Sequence, residues 1–191
     1  GIAGVAGNGQ TELEEIIAGL RTATEGRISV CGETVVLGGR HHVCSAGLAH
    51  IPSDRYGMGM LKDFSIAENL VLQRIGDAPF TRRGWLDHAA IRSNAQGLMA
   101  DFDIRAVSAD SMAGNLSGGN AQKMVLAREL ARRPKVLLAA QPTRGLDVSA
   151  IEFVRRKIVE QRDAGVAILL ISTELDEILA LSDRIAVMYE G

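Results

Sequence analysis

The chain has little to tie it to an oxidising compartment, a membrane interior or a polyanion. Its 191 residues include only two cysteines, Cys31 and Cys44. Their spacing is not that of a metal site and no secretory signal precedes them, so they are expected as reduced thiols of a cytosolic protein. No run is long and apolar enough to span a bilayer, and no targeting segment opens the chain. Any membrane role is therefore expected to come through a partner. The formal net charge is -2, which gives no electrostatic case for nucleic acid. His41, His42 and His50 lack acidic or cysteine neighbours at ligand spacing and read as surface or packing residues. What is present is 47% hydrophobic and 23% charged residues, one globular domain's worth of sequence with ample core material. A glycine-rich loop close to the start and the abrupt end at Glu190-Gly191 raise the expectation of a piece of a longer protein.

The chain is organised around Asn115-Leu116-Ser117-Gly118-Gly119-Asn120-Ala121-Gln122, where a serine and two glycines precede the apolar-periodic run Met124 to Leu130. This is the grammar of a loop opening a helix, with unpaired N–H groups gathered at the positive end of the dipole. Such a place suits an anion, phosphate above all. Taken alone it is also compatible with a plain serine cap and a glycine turn. Near the amino terminus, Gly4-Val5-Ala6-Gly7-Asn8-Gly9-Gln10-Thr11 matches the phosphate-loop pattern G-x-x-x-x-G-K-[ST] at every specified position except one. The glycines let backbone N–H groups wrap phosphates, and Thr11 is placed to offer its hydroxyl to magnesium. Gln10 stands where the lysine belongs, so the loop is expected to have weakened affinity. Leu13, Ile16, Ile17 and Leu20 then repeat at helical spacing.

Leu-Ser-Gly-Gly together with the loop pattern resembles the motifs of ATP-binding-cassette (ABC) ATPases, and the resemblance covers almost the whole chain. It implies an α/β fold: a P-loop NTPase core with a mainly parallel sheet, a small antiparallel β region and a helical subdomain. The expected division is residues 1–63 and 115–191 for the core with its β region, and 64–114 for the helical subdomain. Gly26 to Leu37 alternates with a turn placed at Gly32-Glu33, and Leu48 to Ile51 reads as a strand stopped by Pro52. Ser65 and Glu68 form a capping box, and helical patterns recur through Trp85 to Met99. Tyr56, Met58, Met60, Leu61 and Phe64 either line the groove that takes a permease's coupling helix or pack in the core.

The resemblance also shows what has been lost. Val136 to Ala140 reads as a buried central strand, which in the family ends in aspartate and glutamate before Pro-Thr. Pro142-Thr143 is kept, but Ala140 and Gln141 replace the magnesium-shell aspartate and the water-polarising glutamate. Loss of a general base typically costs about 10²–10⁴-fold in rate. Val166 to Ile171 reads as the next strand, after which Thr173 takes the switch-histidine position. Ser53 takes that of the magnesium-binding Q-loop glutamine. Gly145-Leu146-Asp147 keeps the D-loop. The losses at Gln10, Ala140, Gln141 and Thr173 converge on one pocket, while Leu116, Ser117, Gly118, Gly119, Asn120 and Asp147 remain.

In this family cassettes pair head to tail, each ATP lying between one partner's P-loop and the other's signature. The resemblance thus implies a chain with a poor site of its own that completes its partner's. The combined motifs are similar to the second cassette of tandem-cassette bacterial importers in the simple-sugar and nucleoside branch. That implies ATP and magnesium as cofactors, and a position at the cytoplasmic face of the plasma membrane. The implied partners are the first cassette of the same polypeptide, permease subunits and, indirectly, a binding lipoprotein. The adenine-stacking aromatic is expected upstream of this chain. Three other readings stay open: a structural or nucleotide-sensing cassette; an autonomous ATPase, against which the missing carboxylates argue; and a soluble ABC protein of translation or DNA repair, against which the sugar-branch motifs and the unremarkable charge argue.

Overall fold

The computed structural model describes residues 1–35 and 39–191. In chain order the first elements are β1 (Ile2–Ala3), α1 (Gln10–Ile17), β2 (Ile28–Val30), β3 (Glu33–Val35), α2 (Arg40–Ser45) and β4 (Leu48–Ile51). Next come α3 (Ile66–Val71), β5 (Thr81–Arg82), β6 (Trp85–Leu86), α4 (His88–Asp101) and α5 (Gly118–Leu130). The chain closes with β7 (Val136–Ala140), α6 (Val148–Asp163), β8 (Ala167–Ser172), α7 (Leu175–Leu181) and β9 (Ala186–Val187). These residues form two compact units, Gly1–Ser53 with Arg133–Arg144 and Glu152–Gly191, and Asp54–Arg132 with Gly145–Ile151.

The first unit is built on a five-stranded sheet in the order β4-β7-β8-β1-β9, every pairing parallel. Leu137, Leu138, Ala139 and Ala140 of β7 are all fully buried, as a strand covered on both faces requires. With all strands parallel, their carboxyl ends share one edge, where α/β folds bind ligands. Beyond that edge emerge the 4–9 loop, Pro52-Ser53, the segment after Ala140, and Thr173.

Helix α1 packs Leu13 and Ile17 against a core of Ala18, Val43, Leu48, Leu138 and Ile171. The expected periodicity stops short of Leu20, which is 48% exposed. Gly19 (φ 73°) ends the helix in the left-handed region, and a side chain there would strike Val43 and Arg40. The β2–β3 hairpin turns at Cys31-Gly32 (φ 53° and 83°), one residue earlier than expected, because both central positions of such a turn need positive φ. Val36 and Leu37, expected in this hairpin, lie outside the described residues.

In the second unit the capping box on α3 is complete. Glu68 N donates to Ser65 Oγ at 3.2 Å, and Ser65 N to Glu68 Oε2 at 2.7 Å. The helical pattern from Trp85 begins only at α4: Trp85 and Leu86 pair with β5 in a short hairpin, and Asp87 caps α4 by accepting from Ala90 N at 3.0 Å. Ile66, Leu70, Phe80, Ile91, Ala95 and Met124 form the core of this unit. Of the apolar set near its start, Met60 is buried, while Tyr56, Met58, Leu61 and Phe64 are exposed.

Helix α5 is anchored near its carboxyl end by Glu129, which is fully buried. Its Oε1 accepts from Arg128 Nε and Nη2, each at 3.1 Å, and from Gln73 Nε2 at 2.6 Å.

Candidate functional site

The phosphate-loop pattern folds as a loop between β1 and α1, with Gly7 (φ 91°) and Gly9 (φ 97°) in the left-handed region that glycine permits. Gln10 is 6% exposed and turns its amide back into the loop. Its Oε1 accepts from Asn8 N at 3.0 Å, and its Nε2 donates to Val5 O at 2.9 Å. Gly4 is required because a Cβ there would strike this same amide and Met188 O. Asn8 Nδ2 also donates to Val5 O, and Asn8 Oδ1 accepts from Glu190 N, both at 2.9 Å. One of the loop N–H groups suited to a phosphate is thus already satisfied by Gln10.

Thr11, Ser53, Ala140, Gln141 and Thr173 line one cavity of about 290 Å³ together with Glu14, Arg144 and Glu174. Gln141 follows β7 directly with φ 48°, a conformation uncommon for a residue with a side chain. Its Oε1 accepts from Thr173 Oγ1 at 3.1 Å and Thr173 N at 3.3 Å. Gln141 and Thr173 therefore bond to each other.

Glu14 is the residue that sequence reasoning missed. It is 2% exposed, and its Oε1 accepts from His50 Nε2 at 2.9 Å and Ser53 N at 3.0 Å. Burial pushes its carboxyl up, but the hydrogen bonds from His50 and Ser53 outweigh burial and hold it below its ordinary value. His50, expected as a surface or packing residue, is a buried partner of this carboxylate, whereas His41 and His42 are exposed. Arg40 Nη1 lies 3.5 Å from His50 Nδ1. The helical i, i+4 step from Gln10 to Glu14 was the available signal.

These residues do not fit a magnesium triphosphate by the usual scheme. Ala140 brings no side-chain oxygen, and the Ser53 hydroxyl and N–H are both turned to Glu14. The Gln141 carbonyl oxygen serves Thr173.

The second cluster gathers around the start of α5. Leu116 is buried beneath the loop, and Ser117 caps α5, its Oγ accepting from Asn120 N at 3.4 Å. Ser117, Gly119, Asn120, Lys123, Asp147 and Ser149 line a cavity of about 160 Å³. Gly118 O accepts from Arg55 Nη1 at 3.3 Å. A Cβ on Gly119 would lie 3.1 Å from Ala150 Cβ and 3.4 Å from Asp147 Oδ2, so glycine lets the first turn of α5 approach the start of α6. Asp147 caps α6, its Oδ1 accepting from Ser149 Oγ at 2.7 Å and Ala150 N at 3.0 Å. Those two donors, Ser149 first, hold its carboxyl below its ordinary value. Of the two sequence readings of this loop, the structure shows the cap, and Ser117 also lines a small polar cavity.

Residues 1–144 match the family profile described as ABC transporter. The chain belongs to that family. The ABC fold is matched by a dimeric cassette, MJ0796, in a post-hydrolysis state bound to ADP and Pi, with a TM-score of 0.81 and 22% identity over 100% of this chain and 80% of that one. A nucleotide-free cassette from an ABC transporter gives a TM-score of 0.78 with 24% identity, over 100% of this chain and 76% of that one. In sequence the cassette is 48% identical to the guanosine import ATP-binding protein NupO of Bacillus subtilis, over 100% of this chain and 38% of that protein. It is 43% identical to the nucleoside import ATP-binding protein NupA of Lactococcus lactis, again over 100% of the chain and 38% of the relative. The glucose import ATP-binding protein TsgD13 of Haloferax volcanii is 45% identical, over 100% of this chain and 35% of its own length. The cassette thus spans little more than a third of these curated relatives. No helix among the described residues is long and apolar enough to cross a membrane.

Proposed function

We propose that this cassette is the noncatalytic half of an ATP site pair in an importer of nucleosides or simple sugars. Its own pocket supports little or no hydrolysis, and Leu116 to Asn120 with Asp147 complete the ATP site of a partner cassette, the first one of the same polypeptide. The observation that carries this reading is the contrast between the two clusters. The P-loop is closed by Gln10, and Gln141 is bonded to Thr173, whereas Ser117 stands at an open polar cavity at the start of α5. Drift without selection would not spare one cluster and strip the other. The relatives' lengths leave room for a second cassette, since the chain covers 38% of NupO and NupA.

On this reading the nucleotide is ATP with magnesium, held mainly by the partner. A serine hydroxyl and helix N–H groups meet its terminal phosphate. The exposed Tyr56, Met58, Leu61 and Phe64 face the permease at the cytoplasmic side of the plasma membrane, and a binding lipoprotein delivers cargo beyond it. A second reading, a scaffold or nucleotide sensor, is favoured by the self-bonded P-loop alone. Steady-state hydrolysis by the full-length protein with Gly119→Asp separates the two. Loss of turnover with assembly retained supports completion of the partner's site, and unchanged turnover supports the scaffold.

A further inference from the structure

We propose that Asn120 is a positioning residue: its amide fixes the Ser117 hydroxyl so that the proton points outward to a terminal phosphate. The inference rests on the proposed role of Ser117 at a partner-held ATP and deepens it.

Ser117 Oγ accepts twice, from Asn120 N at 3.4 Å and from Asn120 Nδ2 at 3.1 Å. A hydroxyl has two acceptor positions and one proton. With both acceptor positions engaged, the proton is left for an oxygen approaching from outside. The amide cannot turn over without cost, because its Oδ1 accepts from Arg105 N at 2.9 Å. A flip would set an NH₂ group against that N–H and an oxygen against the Ser117 lone pairs.

The turn that presents Arg105 N is itself held from α5. Lys123 Nζ donates to Asp103 Oδ2 at 2.7 Å and to Asp103 O at 3.0 Å. Asp103 also pairs with Arg105 Nε at 3.3 Å and sits at φ 48°. Asn120 and Lys123 are three residues apart on one helix face, so one turn of α5 sets both the amide and the loop that orients it. Both polar ends of Asn120 are thereby engaged within this chain, which separates its role from that of a direct nucleotide ligand. A hydroxyl held in its donating orientation needs no reorganisation when the phosphate arrives.

The test is ATP hydrolysis by the full-length protein carrying Asn120→Ala, Ser117→Ala and the double change, with thermal unfolding followed for each. Asn120→Ala is expected to lower kcat about tenfold with little change in KM, the order expected for one well-placed hydrogen bond. In the Ser117→Ala background the same change is expected to cost nothing further. The loss is expected to be equal for ATP and 2′-deoxy-ATP. Lys123→Met, which releases the 103–105 turn, is expected to show the same dependence on Ser117, and so carries the test if Asn120→Ala does not fold. Additive losses, a loss confined to ATP, or full activity in Asn120→Ala would each overturn the inference. If Ser117→Ala itself leaves turnover unchanged, the reading of the signature fails. If Ser117→Ala is impaired and Asn120→Ala is not, only the positioning role fails.

Discussion

On the proposed function, Gln10 in place of a lysine changes both the charge and the geometry of the 4–11 loop. A lysine would bring a cation to the β- and γ-phosphates; the glutamine instead satisfies Asn8 N and Val5 O within the loop. Gln10→Lys is therefore expected to raise affinity for a non-hydrolysable ATP analogue at this pocket about tenfold or more, since hydrogen bonds to charged groups are worth about 1.5–3 kcal/mol. In equilibrium binding to the full-length protein, tightly bound analogue should rise from one per polypeptide to two. An unchanged stoichiometry would mean that the loop's closure does not limit binding. That Gln10, Gln141 and Thr173 share one cavity was legible in the sequence, because the motif spacing places them together. Glu14 was not: its partners His50 and Ser53 lie 36 and 39 residues away, and only the fold brings β4 beside α1.

Among the elements, the helix starts were the most legible, because a cap is a local device. Ser65 with Glu68 and Ser117 before α5 were both read correctly from the sequence. Ser65→Ala removes the bond to Glu68 N and is expected to cost about 1 kcal/mol, measured as the shift in chemical unfolding of this cassette. No shift would mean that α3 is held by packing alone. Termini set by tertiary contact were less legible: α1 stops at Ile17 because Gly19 turns left-handed (φ 73°), and Val43 and Arg40 leave no room for a side chain there. Trp85, apolar at helical spacing, instead lies in a two-strand hairpin and is 81% exposed. The anchor of α5 was equally hidden, since Glu129 draws Gln73 from 56 residues away. Glu129→Ala would leave Arg128, only 6% exposed, without its counter-ion. The expected cost is about 3–5 kcal/mol, seen as a large fall in unfolding midpoint. A loss below about 1 kcal/mol would show that the arginine escapes to water.

At the scale of the whole molecule, the carboxylates set a common pH dependence. Glu14, Glu68, Asp103 and Asp147 are all held below their ordinary values. At Glu14 hydrogen bonds overcome burial; at the others hydrogen bonding from Ser65, Lys123 and Ser149 respectively is the largest cause. The folded chain therefore binds these protons less readily than the unfolded chain. Their stabilisation is complete above the unfolded carboxylate range, about pH 4, declines as pH falls through it, and is gone below the depressed folded values. Circular dichroism against pH is expected to show unfolding setting in near that range, and a loss of structure between pH 6 and 8 would contradict this assignment.

The mainly parallel sheet was expected from the resemblance to ABC ATPases, and the observed sheet and the family match bear out the fold. What the family motifs leave to experiment is the division of labour between two clusters in one chain. Steady-state ATP hydrolysis by the full-length protein with Ser117→Arg tests it most directly. The change replaces the hydroxyl with bulk at the mouth of the α5 cavity and avoids the Ala150 contact that Gly119→Asp would disturb. Completion of a partner's site predicts a fall in turnover of about a hundredfold or more with the protein folded and assembled. Turnover within about twofold of the parent, well inside the cost of one lost hydrogen bond, would contradict the account.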